Sequence, residues 1–294
     1  MAYHGDTGRA AVGWRGSGPR GRTVLLVAAA VLCAGCGGRT ALAPIDPAEF
    51  RDGPLADLQA RFALTETIRS QMTITVEEQG ASTEARAVLY YRRPDSLRLD
   101  VLDPLSAPVV VMRAGGGEFS LVDLRHSEGI RGPLTDAVLR RLYGMDLRVS
   151  DVRSAIVANP FAVGDISRLD AGARDGKTVV FRASERIGHR EEIVIGVIDG
   201  EPVVEDWWVR DQDGDTAQHT SFSAYRDIGG ILRPMRATVE RPADGVKLSF
   251  HAINPQMNLD IADSSFLHLF PHNIDVKRWD EHGRPVDAPR AGED

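Results

Sequence analysis

Cysteine is almost absent: Cys33 and Cys36 are the only two in 294 residues. Both sit near the N-terminus, so neither a disulfide framework nor a cysteine-based zinc site can hold the rest of the chain. Cations are in deficit too, with 35 Lys+Arg against 42 Asp+Glu and a net charge of −7. Such a chain lacks the basic footprint of a nucleic-acid binder, so no nucleic-acid partner is expected. The apolar run VLLVAAAVLCAG, residues 24–35, falls short of the ~20 residues that a membrane-spanning helix needs. The phrases G-x-S-x-G and H-E-x-x-H and the phosphate-binding loop are missing, and no nucleophile stands out. No enzyme activity, catalytic residue, cofactor or metal is therefore expected. Asp211-Gln212-Asp213-Gly214-Asp215 hints at calcium, but Phe222 stands where an EF-hand loop needs glutamate, so a polar hairpin is expected. His268 and His272 are four apart, but Pro271 breaks any helix that would align them.

What is present begins with an export signal. Arg15, Arg20 and Arg22 precede the apolar run, and small residues Ala34 and Gly35 precede Cys36. A basic segment followed by a short apolar one reads as a secretory signal. The CAGC phrase resembles a bacterial lipobox, although Cys33 stands where that pattern prefers leucine. The resemblance makes residues 1–35 a lipoprotein signal peptide and Cys36 the lipid-attachment site; a plain signal or a retained anchor is the alternative. Cleavage removes four arginines and one aspartate, leaving a net charge of −10. Gly37 replaces the aspartate of the usual inner-membrane retention signal, which favours the periplasmic face of the outer membrane.

Residues 36–50 read as a lipidated tether. Residues 272–294 are polar and aperiodic and read as a frayed tail. The 43% hydrophobic content is ample for one core between them, over 51–271. Pro54 suits the start of a first helix, with Leu55, Leu58 and Phe62 at helical spacing. PLTDAVLRRLYG, from Pro133 to Gly144, and SDVRSAIVANP, with Ser150 as N-cap, predict two more short helices. Elsewhere the period is two, the signature of strands wet on one face. Ala85, Ala87, Leu89 and Tyr91 share a face, as do Leu97, Leu99 and Val101, and Phe119 and Leu121. Val179 and Phe181, then Ile193, Ile195 and Val197, then Val203, Trp207 and Val209 read as inward rows. Asp199-Gly200, Asp213-Gly214, Gly229-Gly230 and Asp244-Gly245 supply turns. About eleven mostly antiparallel strands with three short helices favour a mainly β (α+β) fold. It is an unclosed half-barrel wrapped around its helices, with an apolar inside where ligands commonly bind.

Several phrases then resemble the LolA/LolB lipoprotein-localisation family. They are YYRRPDSLRLD, the turn Asp103-Pro104-Leu105-Ser106, SLVDLRHSEG, LYGM at 142–145, a helix ending before Asn159-Pro160, Arg233-Pro234 and Asn258. The specific phrases among them lie within residues 85–160, whereas Arg233-Pro234 and Asn258 are similar to the wider superfamily. The resemblance implies an antiparallel half-barrel with helices as a lid and a cavity for acyl chains of lipoproteins or other lipids. It also implies a protruding loop, Pro104-Leu105-Ser106, for insertion into the outer membrane, and a LolA-like periplasmic carrier as partner. A monomer is expected.

Two readings stay open at this stage. Leu105 either tucks under the helices or stands out as a membrane-facing tip. Leu89, Tyr91, Leu97, Leu99, Val101, Val111, Phe119, Leu121, Ile193, Ile195, Val197 and Trp207 are either ordinary core or the wall of a lipid-binding cavity. The first choice for function is a lipoprotein that binds lipids and assists lipoprotein insertion. The rival is a non-catalytic envelope assembly or scaffold lipoprotein with a filled core.

Overall fold

The computed structural model describes residues 42–144, 148–162, 168–184 and 187–286. The expected signal peptide and Cys36 lie outside the described residues. From Leu42 onward the chain forms one compact unit.

The chain enters through β1 (Ala43–Pro44) and a bent helical segment: α1 (Pro47–Phe50), a π-helical turn (Arg51–Leu55) and α2 (Ala56–Leu64). Six strands follow: β2 (Thr67–Glu78), β3 (Ala81–Arg92), β4 (Ser96–Leu102), β5 (Pro108–Gly115), β6 (Glu118–Asp123) and β7 (Glu128–Pro133). Helices α3 (Asp136–Tyr143) and α4 (Val149–Val157) interrupt. Strands then resume as β8 (Asp170–Arg174), β9 (Lys177–Ala183), β10 (Arg190–Ile198), β11 (Glu201–Arg210), β12 (Thr216–Asp227), β13 (Leu232–Arg241) and β14 (Val246–Met257). Finally come β15 (Asp275–Trp279) and β16 (Pro285–Val286).

All sixteen strands join one unclosed sheet, in the order β1-β8-β9-β10-β11-β12-β13-β14-β2-β3-β4-β5-β6-β7-β15-β16. Every pairing is antiparallel except β15 on β7. The half-barrel class is as expected, but the count exceeds eleven. The additions include β1, β8, β15 and β16, short strands without apolar alternation, which gain order by capping open ladders at the sheet's edges. The segment expected as a frayed tail is thus partly sheet, and the expected tether contributes β1 and α1. Among the described residues no helix is long and apolar enough to cross a membrane.

The helices start at other residues than the sequence suggests. Asp46 caps α1 by accepting from the Ala48 N–H at 2.8 Å, and Pro47 takes the first helical position. Pro54 falls inside the π turn, where its missing N–H disfavours regular α hydrogen bonding. Pro133 ends β7, and Thr135 Oγ1 caps α3 by accepting from Val138 N–H at 3.2 Å. Gly144 ends α3 at φ 69°, as its position predicted. Arg148, not Ser150, precedes α4; its N–H donates to Asp151 Oδ2 at 3.2 Å. Asp136 of α3 accepts from Val149 N–H at 3.0 Å, fixing where α4 begins.

The register defines two faces. Phe50, Leu55 and Leu58 from the N-terminal helical segment pack on Val180, Ile193, Ile195, Val204, Trp207 and Val209 of β9–β11. Ile156 of α4 packs with Met72, Ala87, Leu89, Leu97 and Leu99 of β2–β4. The opposite face of β4–β7 is covered by the chain between β14 and β15. There Asp100, Val111, Val122 and Gly129 stand side by side. A Cβ on Gly129 would meet Phe270 and Ile274 at 2.9 Å, so the covering strap demands glycine at that point. His268 Nδ1 and Ser120 Oγ, 2.8 Å apart, pin the strap one row away.

Candidate functional site

One transverse row on the helix-bearing face crosses most of the sheet: Ala171, Val180, Ile193, Trp207, Thr220, Val239, Leu248, Val76 and Thr83. Burial falls along it. Val180, Ile193 and Thr220 are fully buried, Trp207 and Val239 nearly so, Leu248 and Val76 are half-buried, and Thr83 is exposed. The N-terminal helices fill one half of this face and leave the other partly open.

In the open half a second row runs Leu89, Leu99, Met112, Leu121 and Ile130. Leu89 is buried beside Ile156, and the other four are half-buried. Val101, paired with Val110, extends this surface toward the β4–β5 turn. Leu97, Leu99, Val101 and Leu121 therefore line an open apolar wall. Leu89, Tyr91 and Phe119 form its buried floor.

Four expected wall residues sit elsewhere. Ile193, Ile195 and Trp207 belong to the filled core. Val197 is 65% exposed: the pairing of β10 with β9 stops at Ile195, so it extends past the ladder on that side. Val111 is a further correction, because its register puts it on the strap-covered face. A bulge opposite Ile195 places Val204 inward, in the row expected of Val203.

Leu105 is 89% exposed, so it is not a core leucine. Its loop is nonetheless well tied. Asp103 Oδ1 accepts from the N–H groups of Leu105 and Ala107, at 2.8 and 2.9 Å. Arg86 Nη2 donates to the carbonyls of Asp103 and Pro104, at 2.9 and 2.7 Å. Ser106 takes a left-handed φ of 69°. The leucine is presented on a braced tip. On the adjoining turn, Leu124 N–H bonds Val109 O at 2.9 Å, and Leu124 is partly exposed.

The filled half holds a buried charge cluster. Glu191 Oε2 accepts from Arg182 Nε at 2.8 Å and from Trp207 Nε1 at 3.1 Å. Arg148, ahead of α4, comes within 3.9 Å of Glu191 Oε1. Arg182 also donates to the Pro160 carbonyl at 2.7 Å. The cluster ties α4 and the turn after it to the sheet.

Two arginines near the open wall were not predicted from sequence. Arg233 Nη2 donates to the Ile156 carbonyl at 2.6 Å, and its Nε is sealed without a partner. Arg153, on α4, is half-buried. A usable signal existed for Arg233, which falls on the inward period of Met235, Ala237 and Val239. A separate cleft of about 400 Å³ lies beside the strap, lined by residues including Ser96, Gly116, Glu118, Arg131, Phe266 and Leu267. Its main charges, Glu118 and Arg131, neutralise each other at 2.7 Å.

No family model matches the chain, and no curated protein matches its sequence. Solved structures do match. A DUF1329 family protein from Desulfovibrio piger superposes with a TM-score of 0.54 at 14% identity, covering 73% of this chain and 97% of that one. An outer-membrane lipoprotein-sorting protein domain from Vibrio parahaemolyticus gives 0.51 at 11%, covering 73% and 96%. The chain shares their fold. A LolA superfamily protein from Nitrosomonas europaea matches more loosely, with a TM-score of 0.47 at 13% identity and coverage of 73% and 97%. At these identities the likeness establishes architecture and leaves function to the geometry.

Proposed function

We propose that this is a lipid-handling lipoprotein of the bacterial envelope. It takes acyl chains against the open half of its helix-bearing face and passes them to a membrane through the Leu105 tip. The observation that carries this reading is the burial gradient along one continuous face. Native interiors are close-packed, so an apolar wall left half-covered beside a filled core is suited to a mobile apolar occupant. Each methylene buried there contributes ~0.8 kcal/mol. Transfer needs no bond chemistry, only a second site with a better fit, and we assign no enzymatic role. The relative described as lipoprotein-sorting is consistent with lipoprotein acyl chains as cargo, with outer-membrane insertion and with a soluble carrier as donor.

The test is uptake of a fluorescent fatty acid by a chain beginning at residue 37. Saturable uptake is expected, and Leu99→Glu and Leu121→Glu should abolish it in variants that remain folded by circular dichroism. Absence of uptake by the folded unsubstituted chain would leave the filled-core scaffold as the better account.

A further inference from the structure

Among the described residues around the Tyr91 ring, the charges do not balance. Arg233 reaches this region from β13, between α4 and the sheet. Its guanidinium holds the Ile156 carbonyl through one nitrogen, while the sealed Nε has nothing to donate to. Among the described residues no carboxylate lies within ion-pair distance of it. Arg153 on α4 likewise makes no hydrogen bond or ion pair with a described residue. Arg93 adds a third cation, already engaged with the Ala63 carbonyl at 2.7 Å and with the Phe62 ring. Among the described residues one carboxylate, Asp95, acts on the Tyr91 phenol against these; it accepts from Gly116 N–H at 3.1 Å.

Arg153, Arg93 and Arg233 all act electrostatically on the Tyr91 phenol, opposing the burial that raises its pKa; Asp95 adds to the rise. Burial pushes the Arg233 pKa down to about 10, with Tyr225 and Tyr91 opposing, so it remains a cation at neutral pH. Buried charges are normally paired, because an uncompensated one is costly.

We propose that Arg153 and Arg233 form the binding site for the anionic headgroup of an amphiphile. The Tyr91 hydroxyl, which donates weakly to the Pro94 carbonyl at 3.4 Å, feels both cations and offers a further polar contact. The group recognised is a carboxylate or phosphate carried on a long alkyl chain. Resting on the acyl-chain reading above, this gives that site its polar end. Leu97 pairs with Tyr91, and Ile156, whose carbonyl Arg233 holds, packs with Leu97 and Leu99 on the same buried cluster of Met72, Ala87 and Leu89. From Leu97 the wall runs along β4 through Leu99 to Val101, about 13 Å at strand rise. It continues into the loop that carries Leu105. A chain laid along it has its charged end at the arginines and its tail toward the tip.

The full chain is incubated with oleate, oleyl phosphate, oleyl alcohol or oleylamine and freed of excess by gel filtration; bound amphiphile per chain is then counted by mass spectrometry. Oleate and oleyl phosphate should be retained at concentrations about tenfold below those needed for the alcohol, the scale of a charge-assisted hydrogen bond. The amine should be retained least. Arg153→Met and Arg233→Met should erase the preference for the anions over the alcohol. If Arg233→Met fails to fold, Arg153→Met carries the comparison and Arg233→Lys should keep the preference. A preference for oleate over oleyl phosphate would identify a fatty-acid carboxylate as the ligand, the reverse a phosphate headgroup. Equal retention of acid and alcohol by the unsubstituted chain, or an anion preference that survives both methionine variants, overturns the headgroup site and leaves acyl binding standing. Retention of none of the four overturns both.

Discussion

Replacing Leu105 separates folding from membrane contact, because its side chain contributes almost nothing to the folded core. At 89% exposure it behaves as a surface position, where substitutions usually change stability by less than ~0.5 kcal/mol. The loop is held by Asp103 and Arg86, and neither contact uses the leucine side chain. Leu105→Ala removes three carbons from whatever the tip enters. At ~0.8 kcal/mol per carbon, full immersion in hydrocarbon loses about 2.4 kcal/mol, or roughly 50-fold in partition at 1.4 kcal/mol per tenfold. Flotation with neutral phosphatidylcholine vesicles, on a chain beginning at residue 37, reads this directly. The expected result is weakened vesicle association with an unchanged melting temperature. Leu105→Glu should abolish association and slow release of bound fatty acid into vesicles. Unchanged flotation of both variants would refute the tip. A melting temperature lowered by many degrees would show that Leu105 supports the fold after all.

Two further perturbations test other parts of the fold. Glu191→Gln leaves Arg182 and Arg148 without their shared carboxylate; losing one partner of a buried pair costs about 3–5 kcal/mol, so calorimetry should show a clear drop in melting temperature. His268 is held below its ordinary pKa, first by burial. The folded protein therefore binds fewer protons than the unfolded chain just below the ordinary imidazole pKa of about 6.5, and stability is present above that pH and declines as pH falls toward the folded value. Proteolysis of the strap should accelerate on acidification from pH 8 to 5, and His268→Gln should flatten that dependence.

The alternation that marked β3, β4, β6, β10 and β11 was legible because each strand carries apolar residues at period two. The glycine-containing turns were legible because a left-handed residue is required there, as at Gly200 and Gly245. Strands β8 and β15, each one in from an edge, were not legible, since DAGAR and DVKRW carry little apolar pattern and owe their order to a neighbour's open ladder. The face of a residue was readable only while parity held. One bulge in β11 exchanged Val203 for Val204. Val111 reads as a residue of a continuous apolar run, Val109 to Met112, where parity offers no choice of face. Burial depth depended on which half of the sheet the helices reached, a tertiary fact that gave Trp207 to the core and Leu99 to the wall.

The same distribution explains why the wall stays open instead of closing on itself. Apolar surface favours collapse, and α2 would have to slide along the sheet to cover Leu99 and Leu121. It is held where it is: Arg61, in its last turn, donates to the Pro202 carbonyl at 2.7 Å and pairs with Glu201 at 2.6 Å. Phe50, Leu55 and Leu58 are already spent on β9–β11. The sheet itself cannot fold over, because β2 pairs along its whole length with β3 and along most of it with β14, so bending inward would break ladder hydrogen bonds. That leaves α4 as the element over the open half, attached to the wall through Ile156 and to the sheet through Arg233 and the Glu191 cluster. Two of these three attachments are polar, whereas α2 is fixed by packed side chains as well. An entering chain would therefore displace α4 before α2, and hydrogen exchange in Val149–Val157 should respond to fatty acid while exchange in Ala56–Leu64 stays unchanged. Equal protection of both helices with and without ligand would mean that the wall receives its occupant without moving either.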